Sequence, residues 1–150
     1  MIDKELRGVS FKIPNQYGKY LKDILNLVEQ KELEKCLIVQ SEVYDKKMRN
    51  LLHCGIYHFT DLLEKVEESY INYLNLQIWG EIPLKQLKEV SNYQDFITST
   101  CIIVILIYDC EFVEIYSKNP DVLLTKCQKR YGDNCAGIYK DNDSRYIFKV

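Results

Sequence analysis

The sequence predicts an α+β domain: one mostly antiparallel or mixed sheet of six to seven strands, with about three helices packed on one face. Three observations carry that expectation. The run "CIIVILIY", Cys101 to Tyr108, is eight apolar residues rich in β-branched side chains, the composition of a strand buried on both faces. Near the N-terminus, Val9, Phe11 and Ile13 alternate with Gly8, Ser10 and Lys12, the period of a half-buried strand. Helical stripes lie between such runs without a regular strand–helix alternation, which favours helices gathered beside an antiparallel sheet.

Taken in order, "RGVSFKIP" is the first strand and Pro14 ends it. Asn15 is placed to cap a helix, and Tyr17, Leu21, Ile24, Leu25 and Val28 form an amphipathic stripe. "CLIVQSEVY" reads as a second strand. Residues 44–58 show no clear period and are expected to be a loop with one helical turn. "FTDLLEKVEES" forms a short helix with Phe59, Leu62, Leu63 and Val66 on one side. "SYINYLNLQIWG" fits both periods, but its aromatics and the closing Gly80 favour a strand. In that case Leu74, Leu76 and Ile78 point inward, and Tyr73 and Trp79 share the outer face.

A connector with a helical turn near Tyr93 to Ile97 leads to the central strand, Cys101–Tyr108. "YDCE" turns it back into "FVEIY", so that pair is antiparallel. Asn119 at the N-cap, Pro120 at N1, Asp121 in the first turn and Gly132 after the last turn delimit a helix that buries Leu123, Leu124, Cys127 and Tyr131. "CAGIYK-DNDS-RYIFKV" completes the chain as a β-hairpin with a polar turn. No repeat or linker composition divides residues 1–150, which are expected to form a single globular domain.

Composition narrows the function. Residues 1–75 carry 11 basic and 12 acidic side chains, and residues 76–150 carry 9 and 10. No basic stripe is present to engage a nucleic-acid backbone or an anionic membrane. The eight-residue apolar run is far short of the roughly 20 residues of a spanning helix, and the charged N-terminus lacks the apolar core of a secretory signal. A cytoplasmic protein is expected. The cysteines, Cys36, Cys54, Cys101, Cys110, Cys127 and Cys135, include no C-x-x-C and no other metal spacing. They are expected to be reduced and mostly buried, with no cofactor and no metal.

Chemistry has few places to reside. His53, Cys54 and His58 in "HCGIYH" are the candidate ligand or nucleophile site, and they include the only two histidines. The i, i+4 spacing of a helical histidine pair is missing. Asp109, Glu111 and Glu114 cluster near a strand end, but Glu111 and Glu114 sit at odd spacing, on opposite faces of a strand. "DNDSR" lacks the glycine and glutamate of a calcium loop. Phosphate-binding and hydrolase signatures are absent. Tyrosine is abundant, 12 in 150 residues, and tyrosine and tryptophan favour protein interfaces.

"RGVSFKIPNQYGKYLKDIL", Arg7 to Leu25, and "TCIIVILIYDCEFVEIYSKN" followed by "DNDSR" resemble a family of small uncharacterised proteins from Bacillus-type Firmicutes. The likeness covers both ends of the chain and loosens between about Lys31 and Glu81. It implies a bacterial, single-domain, cytosolic protein and transfers no activity and no site.

The expected function is that of a non-enzymatic protein-binding module, an inhibitor or immunity-type protein acting on another bacterial or phage protein, with Tyr73 and Trp79 as anchors. Self-association is a further possibility for the partner. The alternative is a small-ligand binder or enzyme using His53, Cys54 and His58 beside the acidic strand ends. Neither nucleic acid nor membrane is an expected partner.

Overall fold

The computed structural model describes residues 5–150. The first strand, β1 (Leu6–Lys12), forms where the period-two pattern predicts it. It is followed by α1 (Tyr20–Val28), β2 (Lys35–Tyr44), β3 (Gly55–His58), α2 (Phe59–Lys65), β4 (Tyr70–Trp79), α3 (Tyr93–Thr98), β5 (Ile103–Tyr108), β6 (Phe112–Ser117), α4 (Pro120–Tyr131) and β7 (Ala136–Tyr139). All seven strands join one sheet in the order β3-β2-β4-β5-β6-β1-β7, and every ladder is antiparallel. The predicted α+β class is therefore observed, with four α-helices among the described residues rather than three.

The apolar run that announces the fold is its middle strand. β5 has three strands on either side. Ile103, Ile105 and Ile107 enter one core, and Val104 and Leu106 enter another. The β5–β6 hairpin closes through Asp109 and Cys110, both with positive φ (51° and 66°), as a tight turn between right-twisted strands requires.

The first face of the sheet carries α1, α2 and α4. Leu21, Ile24, Leu25 and Val28 of α1, Phe59 and Leu62 of α2, and Leu123 and Cys127 of α4 pack there against Val9, Phe11, Cys36, Ile38, Leu74, Leu76 and Ile78. Helix α3 departs from the one-face expectation: its Phe96 belongs to the core on the other face. Between β1 and β6 the backbones lie close. A Cβ on Gly8 would sit 2.0 Å from the Ile115 carbonyl oxygen, so only glycine fits there.

Local boundaries follow mostly from the predicted signals. Asn92 caps α3 by accepting from the Asp95 N–H at 2.8 Å, and Pro120 opens α4 while Gly132 (φ 58°) ends it. Three expectations need correction. Helix α1 begins at Tyr20, with Lys19 at its cap. Asn15 instead accepts from the Tyr70 hydroxyl, and Gly18 is held in a backbone bridge to Ser69. The C-terminal hairpin does not form either. After β7 and a turn at Lys140–Asn142, residues 143–150 leave the sheet edge and cross its second face. Finally, the segment 44–58 ends in the edge strand β3 rather than a helical turn.

Candidate functional site: the second face of the sheet

Strand register arranges the second face in rows. The first row is Gln77, Val104, Tyr116, Gly8 and Ile138, and the second is Asn75, Leu106, Glu114, Ser10 and Ala136. A third follows: Glu42 pairs with Tyr73, Tyr108 with Phe112, and Phe112 with Lys12. Tyr73 and Tyr108 flank the Leu74–Ile107 pair on the opposite face and so stand side by side. The rows differ in what covers them.

Over the first row lies a roof made of residues 82–96 and the C-terminal tail. Trp79, Val90, Phe96, Cys101, Val104, Leu106, Tyr116, Ile138 and Phe148 form this second core. Its buried amides, Gln77 and Asn75, are paired. The Gln77 amide donates to the Val90 carbonyl and accepts from the Val90 N–H, both at 2.8 Å. Asn75 donates to the Phe148 carbonyl, and the Phe148 N–H donates to Ser91.

The roof corrects one predicted anchor. Trp79 does lie opposite Leu74, Leu76 and Ile78, but it is 1% exposed and cannot touch a partner. Alternation along a strand assigns the face correctly and carries no information about a distant segment that covers it. Tyr73, at the uncovered end of the same strand, remains half-buried, with its hydroxyl donating to Glu42 at 3.2 Å.

The second row holds the densest polar network. Arg145 donates from Nε to Glu114 Oε1 and from Nη2 to Glu114 Oε2, each at 2.8 Å. The Tyr108 hydroxyl donates to the same carboxylate at 2.6 Å. Asp143 accepts from Arg7 at 3.1 Å, from the Tyr116 hydroxyl at 3.2 Å and from the Arg145 N–H at 3.1 Å. Arg7 also stacks over Tyr93, 4.1 Å from the ring centre. Burial raises the Glu114 carboxyl, but the bonds from Arg145 and Tyr108 outweigh it and hold the group below the usual range. Burial opposes the charge on Arg145 as well, and Glu114 more than restores it. Thus "DNDSR" is not a hairpin turn; its Asp143 and Arg145 rivet the tail to β1 and β6.

The third row has no roof of its own, although the Arg145 guanidinium lies 5.0 Å over the Tyr108 ring. Tyr108 and Phe112 stack at 5.5 Å, and the Lys12 ammonium lies 5.0 Å over the Phe112 ring. Beside them the tail forms one wall of a groove of 890 Å³, floored by the small residues Ser10, Ala136 and Gly137. On that wall Tyr146 and Ile147 are 90% and 54% exposed. The carboxylate and phenols of the row are shifted away from neutrality. Hydrogen bonds from Asn72, and further ones from Tyr44 and Tyr73, hold Glu42 low. Partial burial and then the neighbouring carboxylate raise both Tyr73 and Tyr108.

The alternative ligand residues do not converge. Cys54 is exposed and donates to the Val39 carbonyl at 3.3 Å. Tyr57 bonds the backbone of His53, while the His58 ring meets Thr60 at 2.9 Å. Among the described residues, no group of three or more His, Cys, Asp or Glu is placed to hold a metal ion. Asp109 and Glu111 lie at the β5–β6 turn, outside the groove, and Glu114 is committed to Arg145. Of the cysteines, Cys36, Cys101, Cys127 and Cys135 are buried, Cys110 is half-buried and Cys54 is exposed. No helix among the described residues is long and apolar enough to cross a membrane.

Fold and site together describe a single antiparallel sheet, covered by helices on one face and half-roofed by its own tail on the other, with an open aromatic row. The chain belongs to the family described as "Protein of unknown function (DUF2691)", whose model matches residues 6–149. It is 31% identical over 131 residues to the uncharacterized protein YncE of Bacillus subtilis (strain 168), with 78% of this chain and 79% of that one covered. No solved structure matches it.

Proposed function

We propose that this protein is a non-enzymatic binding module, an inhibitor or immunity-type protein, that acts on another bacterial or phage protein through the open row of its second face. The observation that carries this reading is the row Tyr73, Tyr108 and Phe112, left partly exposed beside Tyr146 and Ile147. Aromatic side chains bring large rigid area and a polar tip, and they dominate the energetics of interfaces. The carboxylate and phenols on the row stay in one protonation state near neutrality, which suits recognition better than proton transfer.

Affinity capture with tagged wild-type chain, followed by calorimetry on the captured protein, tests the reading. Replacing Tyr108 and Phe112 by alanine should lower affinity by roughly 2 kcal/mol or more. Substituting His53 and His58 should leave it within about tenfold, or 1.4 kcal/mol. Equal binding by wild type and the double aromatic variant would overturn it.

A further inference from the structure

Resting on that reading, the groove's charges point to the chemistry of the segment it accepts. Its charged side chains are Lys12, Glu114, Asp143, Arg145 and Lys149. Arg145 neutralises Glu114 in the two-pronged pair at 2.8 Å, and Arg7 neutralises Asp143 at 3.1 Å. What the groove presents to a newcomer is therefore Lys12 on the β1 side and Lys149 on the tail side, both exposed. Between them lie the stacked rings of Tyr108 and Phe112 and the small-residue floor.

We propose that the groove docks an acidic segment of a partner protein, with an apolar or aromatic side chain set on the Tyr108–Phe112 pair and carboxylates reaching Lys12 and Lys149. Opposite charges at the rim speed encounter and reject basic competitors. The ring pair supplies the desolvated centre that makes such a contact hold. A single-stranded nucleic acid would also offer negative charge and flat bases. Two exposed ammonium groups release too few counterions for that.

The test uses the full chain labelled with ¹⁵N and three probes: an octapeptide alternating Glu and Phe, its Lys–Phe counterpart, and an eight-nucleotide oligothymidylate. The Glu–Phe peptide should shift amide resonances at Lys12, Phe112, Ala136 and Lys149, weaken with added salt, and bind at least tenfold tighter than either other probe. Lys12→Glu with Lys149→Glu should abolish the shifts, and Lys12→Arg with Lys149→Arg should keep them. Tighter binding of the Lys–Phe peptide or the oligonucleotide would overturn the proposal, as would the absence of shifts up to millimolar peptide. A captured protein that depends on Tyr108 and Phe112 but ignores the double charge reversal would remove the acidic segment and leave the binding-module reading standing. Capture indifferent to both sets of changes would remove the reading itself.

Discussion

Arg145 and Glu114 lie 31 residues apart in the chain and meet through two parallel hydrogen bonds of 2.8 Å. Their side chains keep only 17% and 15% of their exposure. The pair fastens an irregular tail to a central part of the sheet, and it defines one wall of the groove. It therefore links the stability of the second face to the shape of the site.

Removing one partner should cost more than the pair contributes, because the other charge stays buried without compensation. Arg145→Met is expected to lower stability by about 3 kcal/mol, the low end for a broken buried pair, since both groups retain some solvent. The tail should also become accessible. Limited proteolysis should cut residues 143–150 of the variant faster than those of wild type. Equal cleavage rates would show that Asp143 and Phe148 hold the tail without Arg145.

The same carboxylate predicts a pH dependence. Its pKa in the folded protein lies below that of an unfolded glutamate, about 4.3, because the bonds from Arg145 and Tyr108 outweigh burial. A group of that kind contributes its full stabilisation above the unfolded value and loses it as pH falls through the folded value. Urea denaturation from pH 7 to pH 3 should show wild-type stability falling in the acid range. Glu114→Gln should be less stable at pH 7 and fall less steeply below about pH 4.5. Parallel curves for the two proteins would contradict this assignment.

Thiol reactivity should follow burial. Burial pushes the Cys36 and Cys101 thiols up to about 12, and Cys127 and Cys135 are buried and raised for the same first reason. Titration of the native protein with a disulfide reagent should find Cys54 first and Cys110 more slowly. The four buried thiols should appear only in denaturant. Fewer than six thiols in denaturant without reductant would mean a disulfide.

Elements held by near neighbours were legible in the sequence, and those held by distant ones were not. β5 declares itself because an eight-residue apolar run needs cover on both faces wherever it sits. The bounds of α4 are written in Pro120 and Gly132, while Asn119 holds the N-cap position without a side-chain capping bond. By contrast, β3 is an edge strand of four residues with no fully buried position, too short for its alternation to stand out in the sequence. The roof over Trp79 comes from residues 82–96 and Phe148, mostly irregular chain with one short helix at its end, too brief to show a period. The Arg145–Glu114 pair joins two charges that look solvated in the linear sequence. Only Tyr73 among the predicted anchors lies on the open row; Tyr108 and Phe112 are concealed in a strand pair whose apolar character reads as core.

The burial of Trp79 separates fold from binding in one experiment. Trp79 and Tyr73 lie on the same face of β4, six residues apart. Trp79 is enclosed by the roof, whereas Tyr73 stands at the open end. Trp79→Ala leaves a large cavity in the second core and should cost about 3–5 kcal/mol. Tyr73→Ala removes a half-buried ring and a bond to Glu42 and should cost about 1 kcal/mol. Trp79 is the only tryptophan, so native fluorescence should be blue-shifted and should move to the red on unfolding. Tyr73→Ala should keep that native spectrum and weaken partner binding, while Trp79→Ala, followed by circular dichroism in urea, should lower stability and binding together. A Trp79→Ala variant with wild-type stability would mean that the roof does not enclose the indole. The original expectation of a surface anchor at Trp79 would then return.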